Sequence, residues 1–245
     1  MRDFGSRPLL IENSYQVVKQ TWLTRKPSPL ARPIATLSTF AITSGSLVYL
    51  FNFGGFGDKM PASPRAVFEH GEIWRLWTTL FAHADIGHLA SNSLLFFILG
   101  FFLNGYFGSL VFPLAALAFG GLTNLIVLRT YEPEIYLIGA SGVVYWMGGV
   151  WLVLYFILSR QKNLAQRTLR TLGVAILIFM PAQTFEPHIS YRTHFIGFVL
   201  GIGFGCIHYF KNRRRYLAAE IRETIIDEVD PEDDLPPPEG LRPSH

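Results

Sequence analysis

Long stretches without a charged residue constrain this chain more than any other feature of its sequence. Between Arg32 and Lys211 the main uncharged runs contain 25, 43, 25, 15 and 18 residues. A helix needs about 20 largely apolar residues to cross the hydrocarbon core of a membrane. Charged residues make up only 16% of the chain, whereas soluble domains contain about 25%. These features predict an all-α polytopic membrane protein and exclude a soluble or disordered chain.

The uncharged runs accommodate a bundle of six transmembrane helices. The longest run holds two helices, because residues 104–109 contain the turn-forming residues Asn, Gly and Ser. The fifth helix has the shortest run, and it begins close to Arg170, whose long side chain can reach the membrane interface. The predicted spans are residues 33–53, 87–104, 110–128, 140–158, 169–186 and 193–210.

The basic residues predict the orientation of this bundle. Lys and Arg number six in residues 1–32, four in 160–170 and four in 211–215. Cytoplasmic loops carry an excess of Lys and Arg, and six spans place these three segments on one side. Both termini are therefore expected to be cytoplasmic. The pI near 9.0 reflects this topology, so we expect a lipid bilayer and no nucleic acid as a partner.

The flanking segments differ in composition from the predicted core at residues 33–210. Residues 1–32 form an N-terminal cytoplasmic segment, and we interpret residues 9–24 as solvated rather than as an interfacial helix. The cytoplasmic tail, residues 211–245, is acidic and rich in proline. Residues 216–245 contain nine acidic residues and three consecutive prolines, a composition that predicts disorder.

Few polar side chains fall within the predicted spans, and these are the candidates for a functional site. Ionisable and amide groups are costly at membrane depth, so they are functional candidates by default. They are His88 and Asn92 in the second span, Ser141 at the start of the fourth, and His194 and His208 in the sixth. All except His208 lie in the outer half of the membrane under this topology, which indicates one site.

Ser141 stands at the start of a predicted helix, between Gly139-Ala140 and Gly142. Free N–H groups at a helix N-terminus can stabilise an oxyanion, and glycines allow a substrate backbone to approach. Small residues also serve helix packing. The motif around Ser141 alone leaves catalysis and packing both open.

His194 and a pair of donors in the second span favour catalysis. Gly197 and Gly201 follow His194 on one helical face, which predicts close contact with the fourth span and brings His194 to Ser141 as a general base. His88 and Asn92 are four residues apart, so they share a face and can donate to an oxyanion. The alternatives are an interfacial histidine bonded to a carbonyl and hydrogen bonds that only stabilise the bundle.

Together these motifs resemble those of the rhomboid intramembrane serine proteases of the bacterial six-helix type. The resemblance covers residues 74–201, and the combination is specific where any single motif is not. The matching motifs are Trp74-Arg75, His83-x4-His88-x3-Asn92, Gly139-Ala140-Ser141-Gly142-Val143-Val144-Tyr145 and His194-x2-Gly197-x3-Gly201.

The resemblance implies an endopeptidase of the bacterial inner membrane that cleaves transmembrane protein substrates and needs no metal or cofactor. It implies that Ser141 is the nucleophile and His194 the base, with oxyanion contacts from His88, Asn92 and the backbone at Ser141. It also implies that Tyr145 packs against His194 and holds the ring.

Two further features concern regions outside this set of site residues. The resemblance places Trp74-Arg75 in a loop partly embedded in the outer leaflet. Thr193 stands where many relatives have alanine, and we expect a local change in packing there rather than a loss of activity.

The sequence gives weaker support to other functional classes. Gly55-Phe56-Gly57-Asp58 matches the G-x-G-D of intramembrane aspartyl proteases, but that chemistry needs two carboxylates inside the membrane, and no predicted span contains an aspartate. The spacing of His83, Asp85 and His88 is not that of a zinc metalloprotease. A small transporter and a catalytically inactive rhomboid-like protein that binds transmembrane clients are the alternatives that stay open.

Overall fold

The computed structural model describes residues 11–179 and 190–228. It is mainly helical, which confirms the predicted all-α membrane class. The two strands are Ile11–Gln20 (β1) and Ile221–Glu228 (β2). The helices are Ala31–Leu50 (α1), Arg75–Thr78 (α2), Ile86–Phe107 (α3), Ala116–Leu128 (α4), Ser141–Leu158 (α5), Leu164–Phe179 (α6) and Tyr191–Leu217 (α7).

Five helical segments among the described residues are long and apolar enough to cross a membrane. They correspond to the predicted spans one to four and six, with the third formed by α4 and the kinked turn before it. For the predicted fifth span, α6 begins at Leu164, and residues 180–186 of that span lie outside the described residues. Helix α7 continues past the predicted end of the sixth span to Leu217.

The segments that flank the bundle contain regular structure that the sequence interpretation missed. Strand β1 pairs with β2 in an antiparallel sheet, with Tyr15 opposite Ile225, and Lys19 forms an ion pair with Glu223 at 3.0 Å. Residues 14–20 are exposed or half-buried, in line with a solvated segment, but they belong to a strand. The prediction of disorder is wrong for residues 216–228. Composition describes each segment alone, whereas each strand is stabilised by a partner at the other end of the chain.

Helix α5 lies at the centre of the bundle, and α7 crosses it in close contact. Trp146, Met147 and Val150 of α5 are fully buried. A Cβ added to Gly197 of α7 would collide with the carbonyl oxygen of Gly142, and one added to Gly201 would collide with the carbonyl oxygen of Trp146. This is the close helix contact that the glycine spacing predicts, and it brings the first turns of the two helices together.

Candidate active site

The loop that leads into α5 is held on several sides by hydrogen bonds. The Leu137 N–H donates to the Ala62 carbonyl oxygen at 2.7 Å, and the Ala62 N–H donates back at 3.1 Å. The Gly139 N–H donates to the Thr79 carbonyl oxygen at 3.0 Å. The Thr79 hydroxyl in turn donates to the Leu137 carbonyl oxygen in a short hydrogen bond. The backbone immediately before Ser141 is therefore fixed.

The His88 ring lies against this same backbone. Gly139 has a φ of +106°, a conformation that favours glycine. A Cβ added there would lie 2.9 Å from Cε1 of His88 and 3.2 Å from its Nε2. His88 occupies the first turn of α3, where its N–H donates to the Asp85 carboxylate of the helix cap at 2.8 Å. The sequence-predicted donor His88 thus adjoins the residues that precede Ser141.

The first turns of α5 and α7 place Ser141 and His194 at one end of the bundle. Ser141 is the first residue of α5, where backbone N–H groups have no partner inside the helix. Its neighbour Gly142 touches Thr193, the residue before His194, since a Cβ on Gly142 would lie 2.6 Å from Thr193 Cγ2. The two sequence-predicted catalytic residues therefore flank a direct contact between helices.

The His194 ring stacks on Tyr145. The two ring centroids are 4.0 Å apart and the planes differ by 10°. Tyr145 follows Ser141 by about one helical turn on α5, and Tyr191 presents an edge-on ring to His194 at 6.4 Å. The stacking fixes the plane of the imidazole, in agreement with the packing that the resemblance implies, whereas its role in catalysis stays a prediction.

Asn92 provides a buried hydrogen-bond donor that no other described residue uses. Its side chain is 6% exposed, and its Nδ2 has no hydrogen-bond partner among the described residues. A buried donor without a partner costs roughly 1–3 kcal/mol. Asn92 lies one turn after His88 on the same face of α3. A substrate oxygen at this face would satisfy the amide.

His83 forms a chain of hydrogen bonds that sequence reasoning missed. The Ala140 N–H donates to His83 Nε2 at 3.4 Å, His83 Nδ1 lies 2.8 Å from the Ser46 hydroxyl, and that hydroxyl donates to the Phe81 carbonyl oxygen at 2.8 Å. The pKa of His83 is lowered to about 4, mainly by burial and also by the neighbouring His88. A neutral ring with its proton on Nδ1 satisfies the whole chain. The sequence offers one indication of this contact, which is a polar residue, Ser46, within the first predicted span. The structure buries Ser46 fully.

Thr193 joins a chain of hydroxyl groups. Its Oγ1 lies 2.6 Å from the Ser190 hydroxyl, which also forms a short hydrogen bond with the Tyr131 hydroxyl. Thr193 is 2% exposed. Thr193 thus adjoins a link between the start of α7 and the loop after α4, whereas the change in packing relative to alanine stays a prediction.

Arg75 holds the loop between α1 and α3. Its Nη1 donates to the carbonyl oxygens of Pro61 at 2.8 Å and Asp58 at 3.3 Å, and its Nε contacts the Glu72 carboxylate at 2.5 Å. The adjacent Trp74 is half exposed. The contacts of Arg75 explain the fixed shape of this loop, whereas its embedding in the outer leaflet stays a prediction.

The chain is similar in sequence to several proteins named as rhomboids. The curated relative YdcA of Bacillus subtilis, provisionally named a rhomboid protease, is 29% identical over 150 residues, which cover 60% of this chain and 73% of YdcA. Rhomboid protease GluP of the same organism is 34% identical over 119 residues, 49% of this chain and 22% of GluP. RHOMBOID-like protein 5 of Arabidopsis thaliana is 26% identical over 164 residues, 65% of this chain and 52% of that protein.

A family model also matches the chain. The model of the rhomboid domain matches residues 70–210, a region that contains all the motif residues from Trp74 to Gly201 and more than half of the chain. The apolar helices α1, α3, α5 and α7 agree with a protein that crosses the membrane several times. The chain belongs to the rhomboid family of multi-pass membrane proteins.

Proposed function

We propose that this protein is an intramembrane serine endopeptidase that hydrolyses peptide bonds in or near the transmembrane segments of membrane-protein substrates. Ser141 is the nucleophile and His194 the general base. The stack of Tyr145 on His194 carries the proposal, because a fixed imidazole beside a helix N-terminal serine is what a Ser–His dyad requires. The protease names of two relatives point to the same reaction.

The reaction follows from the chemistry of these groups. His194 accepts the Ser141 hydroxyl proton as Oγ attacks the substrate carbonyl carbon. The oxyanion of the tetrahedral intermediate accepts hydrogen bonds from Asn92, His88 and the backbone N–H of Ser141. His194 then gives its proton to the leaving amine, and the C–N bond breaks. Water, deprotonated by His194, hydrolyses the acyl-enzyme and restores both residues.

The β1–β2 pairing supports the topology proposed for this activity. Because the two strands pair, the chain crosses the membrane an even number of times between them, which favours six spans over five. The basic residues then make this side cytoplasmic, and we place the protein in the bacterial inner membrane with its site in the outer half. Substrate helices must unwind there, because a regular helix hides its carbonyl groups from a nucleophile.

Cleavage of a single-span model substrate by the purified full-length protein tests the proposal. The wild type should cleave it and Ser141→Ala should not, while Ser44→Ala, a serine of α1 without an assigned role, should match the wild type. A fluorophosphonate label should attach to the wild type and not to Ser141→Ala. Full activity of Ser141→Ala would overturn the proposal. Substrate binding without cleavage by the wild type would favour the inactive client-binding alternative.

A further inference from the structure

A polar cavity lies at the end of the bundle opposite Ser141. Its volume is about 560 Å³, within the roughly 300–1,000 Å³ that small-molecule sites occupy. It forms where α3 and α7 end, and His208 on its wall lies about four helical turns beyond His194. The cavity is thus separate from the proposed catalytic site. Its polar and aromatic lining includes Trp22, Asn104, Ser109, His208, Arg215 and Tyr216.

Two guanidinium groups lie against Trp22, and one of them, that of Arg215, also lines the cavity. Arg215 Cζ lies 4.5 Å from the centroid of the Trp22 ring, and Arg25 Cζ lies 4.7 Å from it. The indole is fixed because its Nε1 donates to the Tyr106 carbonyl oxygen at 2.8 Å. Within residues 11–179 and 190–228, neither arginine forms an ion pair with a carboxylate. Their charge and their N–H donors are therefore available to a ligand.

The remaining polar groups of the cavity favour an anion with several acceptor oxygens. The Asn104 amide donates to Ser109 Oγ at 3.3 Å, so the Ser109 hydroxyl acts as an acceptor and its own proton is left for another partner. The described residues that line the cavity include no aspartate or glutamate. Guanidinium groups with a hydroxyl donor suit a phosphate group, which accepts charge-assisted hydrogen bonds in pairs.

The mouth of the cavity is apolar and exposed. Leu30 and Leu110 line it with 61% and 78% of their surface exposed. A free phosphate ion gains nothing from these side chains, whereas the acyl chains of a lipid would cover them. Lys211, Arg213 and Arg214 add positive charge on the same end of α7, where basic residues attract anionic lipids. The combination of a cationic wall and apolar side chains beside it favours a lipid ligand.

We propose that this cavity binds the phosphate headgroup of an anionic phospholipid, with the phosphate at Arg215 and Ser109 and the acyl chains leaving past Leu30 and Leu110. This site is independent of the proposed proteolysis. It makes no use of Ser141 or His194, and its test reads binding rather than cleavage.

Lipid retention by the full-length protein in detergent tests this proposal. Native mass spectrometry with equal amounts of phosphatidylglycerol and phosphatidylcholine should show one tightly held phosphatidylglycerol, preferred roughly tenfold or more. Arg215→Gln should remove most of that preference, and Ser109→Ala should reduce it several-fold. Arg213→Gln is the matched control, since it removes the same charge two residues away on α7 without lining the cavity.

Each outcome decides the assignment. Equal retention of both lipids by the wild type would overturn the site, and an equal loss in Arg213→Gln and Arg215→Gln would replace it with general attraction to a basic surface. Displacement of the lipid by inorganic phosphate at the same concentration would keep the anion site and overturn the lipid as its ligand. Thermal unfolding in phosphatidylcholine confirms that each variant is folded, and Ser109→Ala decides alone if Arg215→Gln is not.

Discussion

Helix α7 carries a histidine near each of its ends, and the two lie in different surroundings. His194 stacks on Tyr145 beside a loop held by backbone hydrogen bonds. His208 is bonded through Nε2 to the Tyr216 hydroxyl at 2.8 Å, beside the cations that lie on Trp22. At the His194 end, Arg192 donates to the Thr130 carbonyl oxygen at 2.8 Å, whereas the His208 end carries Arg213, Arg214 and Arg215 in succession.

The comparison shows that membrane depth alone does not identify a catalytic histidine. Both histidines lie on one long apolar helix, but a serine at a helix N-terminus adjoins only one of them. The Tyr216 hydroxyl is hydrogen-bonded to Nε2 of His208, so this ring has a structural contact. The neighbours of each histidine, rather than its burial, therefore distinguish the proposed catalytic site from the proposed binding site.

Removal of either member of the proposed dyad should have the largest effect. Ser141→Ala and His194→Ala should each lower the cleavage rate by roughly 10³-fold or more, and the double variant should be hardly slower than either, because the two residues act as one unit. Initial rates on the model substrate measure this effect. His70→Gln, at an exposed histidine of the first loop, is the control. Additive losses in the double variant would separate the two residues.

Asn92→Ala should have the next largest effect. Loss of one oxyanion donor lowers the rate by roughly 10²–10³-fold, with little change in the melting temperature because Nδ2 has no partner to lose among the described residues. Asn124→Ala is the matched control. Its amide is also buried but donates to the Leu76 carbonyl oxygen at 2.8 Å, so the variant should lose stability and keep its rate per folded molecule. The opposite pattern would make Asn92 structural.

Gly197→Ala tests the close contact of α5 with α7, the helix that carries both histidines. The added methyl group meets the Gly142 carbonyl oxygen, so the variant should unfold more easily by about 1–3 kcal/mol. Gly203 lies on the same helix with open space around it, and Gly203→Ala should be neutral or stabilising. Thermal unfolding in detergent compares the two. Equal melting temperatures would show that α7 shifts to accommodate the methyl group.

His83 variants should have a smaller effect on the rate. His83→Gln can still accept the Ala140 N–H, whereas His83→Asn can replace only the bond to Ser46. We expect a loss of a few-fold for Gln and roughly tenfold for Asn, since one neutral hydrogen bond contributes about 1 kcal/mol. Cleavage rates measured at pH 7.5 show which of the two variants is slower. A faster Asn variant would show that the contact with Ser46 matters more than the contact with Ala140.

The smallest effect is expected in the pH dependence of the free energy of unfolding. The pKa of His83 falls from 6.5 to about 4 on folding, so the unfolded chain binds a proton more readily. The stability due to the neutral ring is present above pH 6.5 and is lost as the pH falls toward 4, by up to about 3 kcal/mol. Melting temperatures at pH 5 and 7.5 should differ less for His83→Gln than for the wild type. If the melting temperature changed equally in both proteins, titratable groups other than His83 would account for the pH dependence.

The membrane spans and the contact between α5 and α7 could be predicted from the sequence because both depend on local patterns. A run of apolar residues determines where a helix crosses, and glycines at helical spacing determine where a partner approaches. The unused amide of Asn92 lies beyond such patterns, since burial depends on every neighbouring helix. The link from His83 to Ser46 also joins separate elements. A sequence pattern cannot show which distant hydroxyl a buried ring will meet.

The pairing of β1 with β2 has a consequence for biosynthesis. Strand β1 leaves the ribosome first and β2 last, so β1 has no partner until every helix between them has been made. An unpaired strand edge binds other chains readily. A chain that stops within α7 would therefore keep its transmembrane helices but expose the edge of β1. The small sheet thus distinguishes a chain that continues past α7 from one that ends within it.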